Sequence, residues 1–104
     1  MDKMLSLPDI CEEIIEVEEG LMYGTISFVY DNLMSAMKPG HPMEILDSIL
    51  AEIYFESHKA DIDIQKVKNV VSNLKDFKKC FKVKELNTPI KHFEAYIKQR
   101  EQEG

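Results

Sequence analysis

The chain has 104 residues, 44% of them apolar, and a net charge of −6; that is one domain's worth of sequence, with enough apolar side chains to close a single core without a metal or disulfides. No apolar run approaches the roughly 20 residues that span a bilayer. The opening MDKMLSLPDICEE lacks a charged-then-apolar leader, so no signal peptide is expected.

Met1 to Leu7 reads as a lead-in, and Asp9 as the cap of a first helix in which Ile10, Ile14, Val17 and Leu21 recur at four, three and four. Met22, Ile26, Val29, Leu33 and Met37 continue the beat, which predicts one long helix over 9–37. A break near Gly20 and Gly24 is the alternative, because each glycine costs about 1 kcal/mol inside a helix. Tyr23, Thr25, Ile26, Phe28, Val29 and Tyr30 also suit a strand, but no second strand is evident to pair with it.

Lys38-Pro39-Gly40-His41-Pro42 must break the helix. A second helix follows over 42–58, with Pro42 in its first turn. Leu46, Ile49, Leu50 and Ile53 form its apolar stripe, and Tyr54 and Phe55 are expected to widen it. Asp63 reads as the cap of a third helix, 63–82, with Ile62 and Val67 as a staple and Val67, Val70, Val71, Leu74, Phe77 and Phe81 inward. Thr88-Pro89 opens a fourth, 89–101, along Ile90, Phe93 and Ile97, with a fraying tail. The expected fold is all-α: a small bundle of about four helices in a single domain, 1–104.

The net charge hides an asymmetry. Residues 1–63 hold fourteen Asp/Glu against three Lys, a balance of −11, and residues 64–104 hold ten Lys/Arg against five Asp/Glu, a balance of +5. Two surfaces follow. Glu12, Glu13, Glu16 and Glu19 offer carboxylates to a basic site on a protein partner. Lys75, Lys78, Lys79 and Lys82, extended by Lys84 and preceded by Lys66 and Lys68, offer a basic helix end to nucleic acid; the bland reading is that these lysines answer the dipole of their own helix.

Chemistry-bearing constellations are sparse. Glu52, Glu56, His58, Asp61 and Asp63 form the one thin metal candidate, without the spacing of any recognised site. Cys80 has lysine neighbours that would activate a thiol, yet it falls beside Phe77 and Phe81, as a buried cysteine would. His41, His58 and His92 lie on separate elements, and nothing pairs any of them with Cys80. Cys11 and Cys80 form no CxxC, so reduced thiols and a cytoplasmic location are expected. Tyr23, Tyr30, Tyr54 and Tyr96, with the six methionines, could line a small-molecule pocket or an adaptable groove, but at helical spacing such residues are more often core. No phosphate loop or nucleophile elbow occurs, so neither an enzyme nor a cofactor is expected.

Leu86-Asn87-Thr88-Pro89-Ile90-Lys91-His92-Phe93 with Tyr96-Ile97 resembles the closing helix of bacterial and phage replication-accessory proteins over a tenth of the chain, and carries over no residue role. The richness in Lys, Glu, Ile and Asn suits an A+T-rich bacterial or phage genome. The expectation is a non-catalytic interaction protein that regulates or inhibits a protein partner through a charged helix face. The alternative is a nucleic-acid-associated accessory protein, and a metal- or ligand-dependent enzyme is a third reading. A homodimer is also considered, because 9–37 would expose more apolar surface than a short domain covers.

Overall fold

Ser6, rather than Asp9, starts the first helix. The Ser6 hydroxyl accepts the Asp9 backbone N–H at 3.4 Å and donates to Asp9 Oδ2 at 2.9 Å, which satisfies an amide left free in a first turn. The computed structural model describes residues 5–29 and 42–103. In it α1 runs Leu7–Tyr23, α2 Pro42–Ser57, α3 Ile64–Phe81 and α4 Asn87–Glu103, with a 3-10 turn at Lys84–Leu86. The fold is all-α, and no strand forms among the described residues.

The long 9–37 helix does not form. Gly24 takes a left-handed conformation, φ 80°, and closes α1 after Tyr23, because only glycine enters that region without a Cβ penalty. The chain then turns back. Ile26 N–H and the Thr25 hydroxyl both donate to the Gly20 carbonyl, at 3.0 and 3.4 Å. A Cβ on Gly20 would stand 2.6 Å from Ile26 Cγ1, so the helix-interior glycine is where Ile26 lies down. Val29 N–H donates to the Phe81 carbonyl at 2.9 Å and ties this segment to the end of α3. The expected continuation through Tyr30, Leu33 and Met37, and the break at Lys38–His41, lie outside the described residues.

The other helices follow their patterns more closely. α2 begins at Pro42. Asp63 caps α3, accepting Gln65 N–H at 2.9 Å, and both Ile62 and Val67 join the core. α4 starts two residues before the expected Pro89, because the 3-10 turn at Lys84–Leu86 runs straight into it. Pro89 therefore falls in the first turn, where its missing N–H costs nothing. The tail stays helical to Glu103 instead of fraying.

Each helix packs on two neighbours: α1 on α2 and α4, α3 on α2 and α4. Phe77, Phe81 and Phe93 are the largest fully buried side chains, and Val83 and Leu86 of the α3–α4 connection close the same core. Burying one such ring stabilises by about 1.5–3 kcal/mol. Tyr54 and Phe55 do not widen the buried stripe of α2. They are 44% and 73% exposed, while the next residue, Glu56, is buried.

Candidate protein-binding face

The charge split of the sequence becomes a split between two pairs of helices. α1 carries Asp9, Glu12, Glu13, Glu16, Glu18 and Glu19, α2 carries Glu44, Asp47, Glu52 and Glu56, and neither has a Lys or Arg. α3 and α4 hold the cations. On α1, Glu12, Glu16, Glu19 and Tyr23 are spaced by four, three and four, and all four are exposed, so they form one outward stripe. Three of the four carboxylates expected on a partner face therefore share that stripe. Glu13 does not; it turns toward α4, where its Oε1 lies 2.6 Å from His92 Nδ1.

Glu13, and with it Glu16 from the edge of the outward stripe, lines a cleft of about 300 Å³ between α1 and the start of α4. Val17, Ile26 and Pro89 provide its apolar surface, and Glu85 adds a third carboxylate. The volume is at the low end for ligand pockets, roughly 300–1,000 Å³. An apolar floor under an acidic rim matches the aliphatic stem and charged head of a single lysine or arginine.

The basic cluster is arranged differently. Lys68 Nζ meets Glu101 at 2.7 Å, Lys75 Nζ meets Glu94 at 2.8 Å, and Lys78 Nζ donates to Asn87 Oδ1 at 2.6 Å. The paired positions descend along α4 as they rise along α3, so the two helices are antiparallel and these lysines line their seam. Lys79 and Lys82 are exposed, and Lys82 closes α3 in a left-handed conformation, φ 59°. The four lysines expected on a nucleic-acid face are thus divided: two face α4 and two face solvent.

The thin metal candidate resolves into a structural lock. Glu56 Oε2 accepts the Asp63 backbone N–H at 2.8 Å, and Oε1 lies 3.2 Å from Lys59 Nζ and 3.6 Å from Lys66 Nζ. The Asp63 amide first, and then the two lysines, hold this carboxyl below its ordinary value although burial opposes them. Glu52 and Asp61 are exposed, away from it. Among the described residues no group of three or more His, Cys, Asp or Glu is placed to hold a metal. Glu56 was findable in the sequence, since it follows Ile49 by seven and Ile53 by three and so falls on the buried stripe.

No disulfide joins Cys11 and Cys80, and both are buried. Burial pushes the Cys11 thiol up to about 11 against the lowering effect of the Ser57 hydroxyl beside it, which makes it a poor nucleophile. Comparison of the chain with protein-family models, with curated proteins and with solved structures gives no match. The face must be read from its own chemistry.

One feature of that face had no signal in local sequence. Glu18 of α1 and Asp47 of α2 meet across the helix seam, and burial first, then Asp47, pushes the Glu18 carboxyl up. Its Oε2 is buried with no hydrogen-bond partner among the described residues. No helix among the described residues is long and apolar enough to cross a membrane.

Proposed function

We propose that this protein is a non-catalytic interaction protein that binds a basic surface of another protein through the outward face of α1 and thereby regulates or inhibits it. The observation that carries this reading is the exposed stripe of Glu12, Glu16 and Glu19 on a pair of helices without a single Lys or Arg. Such a field attracts a basic partner over several ångströms and repels nucleic acid and anionic lipid. The cleft beside Glu13 and Glu16 supports it by accommodating one lysine or arginine of that partner. Two buried thiols that form no disulfide suit a reducing cytosol. The nucleic-acid reading is the weaker one, because Lys75 and Lys78 are engaged by α4.

The test is a pull-down from the organism that encodes the chain, with wild type and Glu12→Lys/Glu16→Lys in parallel. The expected result is a basic protein that elutes with salt and is absent from the variant lane. Equal capture by both, or capture that disappears with nuclease, counts against the reading.

A further inference from the structure

We infer that the Ala51–Phe55 face of α2, anchored by Tyr54 and Phe55, docks an amphipathic helix of a partner protein whose apolar residues are flanked by lysines or arginines. The inference rests on the reading above and names the chemistry of the partner. Phe55 is 73% exposed while the adjacent Glu56 is 2% exposed, the reverse of what hydropathy alone would choose. A rotation of α2 by one residue would put Phe55 in the place of Glu56. Glu56 prevents it, being held by the Asp63 amide and by Lys59 and Lys66. The ring of Phe55 is therefore presented by a fixed helix and is not a loose end. Tyr54 is fixed as well, its ring meeting that of His58 edge-on with centroids 4.6 Å apart. Rigid exposed aromatics lose little entropy on binding and are the residue types that dominate interfaces.

The surroundings select the occupant. Ala51, one turn before Phe55, is small and exposed, and Asp47 and Glu52 flank the patch on α2. Two contacts, Cys11 with Ser57 and Glu18 with Asp47, set α1 antiparallel beside α2, and helix periodicity then turns Glu12 and Glu19 toward the same face. An exposed helix face of this kind receives another helix by ridge packing, apolar side inward. Its borders must be positive, since neither α1 nor α2 carries a cation. A second copy docked across a two-fold axis would set acidic face against acidic face. Nucleic acid and anionic membranes meet the same repulsion.

The probe is a synthetic lysine–leucine amphipathic helix carrying one tryptophan; the protein has none, so indole emission reports the peptide alone. A scrambled peptide of identical composition without an apolar face, and a glutamate–leucine helix, complete the set. The lysine–leucine helix is expected to bind with a blue shift that salt weakens, and Phe55→Ala, with helicity and Tm unchanged, to weaken it about tenfold or more. The scrambled peptide should bind more weakly and not respond to Phe55→Ala. Tyr54→Ala gives a second, independent reading of the patch. Equal binding of the lysine–leucine and scrambled peptides, or indifference to both aromatic substitutions, overturns the docking face and leaves the basic-partner reading standing. Failure of both basic peptides to bind at low salt sinks both readings. Binding of the glutamate–leucine helix as tightly as its lysine counterpart overturns the charge argument. A dimer in light scattering that Phe55→Ala dissolves would assign the patch to a second copy instead.

Discussion

Glu56 Oε2 accepts the backbone N–H of Asp63 at 2.8 Å, so a carboxylate buried at the end of α2 closes the loop that leads into α3. Asp63 in turn caps α3 through Gln65 N–H. Glu56→Ala should lower Tm by several degrees, because the part-buried Asp63 amide loses its acceptor and Lys59 and Lys66 lose their carboxylate; Glu56→Gln should lower it less, since the amide oxygen still accepts. The carboxyl is held below its ordinary 4.5, so the folded state takes up this proton less readily than the unfolded chain. Its contribution is complete at neutral pH and disappears as pH falls from 4.5 through the lower folded value. Urea midpoints across the acid range should flatten in Glu56→Gln.

Glu18 has the opposite sign. Burial and Asp47 raise its carboxyl above the ordinary 4.5, so the folded state binds this proton more readily than the unfolded chain does. The wild type therefore gains stability from this group as pH falls through the raised value toward 4.5. Glu18→Gln removes the repulsion and offers Asp47 a donor. It should raise Tm at neutral pH and abolish that gain, as thermal melts at several pH values would show.

Gly24 ends α1 with φ 80° in open space. Gly24→Ala meets no clash, so its cost is that of the left-handed backbone alone, about 1–2 kcal/mol. Gly24→Asn should cost less, because asparagine enters that region more readily. Chemical denaturation of the two variants measures the difference.

Two phenylalanines separate core from surface. Phe77 is fully buried and Phe55 is 73% exposed. Phe77→Ala should cost about 3–5 kcal/mol, and Phe55→Ala should stay within about 0.5 kcal/mol of wild type. A comparable loss from both would mean that Phe55 belongs to the core.

Neither thiol should react in the native state. Cys11 and Cys80 are buried, and burial pushes Cys11 to about 11, which leaves almost no thiolate at neutral pH. An alkylating reagent should label both in denaturant and neither without it. Rapid native labelling of either one would place that cysteine at the surface.

Much of the helix content was legible because it depends on residues three or four apart. Leu46, Ile49, Leu50 and Ile53 mark the buried side of α2, and Val67 through Phe81 that of α3, all as their spacing predicts. The same rule misleads at Tyr54 and Phe55, which hydropathy places in the core although Glu56 takes the inward position. It misleads again after Tyr23, where Ile26 keeps the helical beat but instead folds back on Gly20. The cap at Ser6 was missed because Asp9 is an equally good capping type, and only the hydroxyl's position distinguishes them.

The order of residues by itself determined where helices form, their inward sides and the separation of acidic from basic halves, since each follows from side chains within a turn of one another. Which charges remain open to a partner was decided only by packing. Lys68 meets Glu101 across 33 positions and Glu13 meets His92 across 79, and no local pattern specifies such pairs. Helix-on-helix contact tied part of the lysine cluster and Glu13 to α4 and left Glu12, Glu16, Glu19 and Phe55 facing solvent, because interhelical geometry, unlike helix formation, depends on the whole core closing at once.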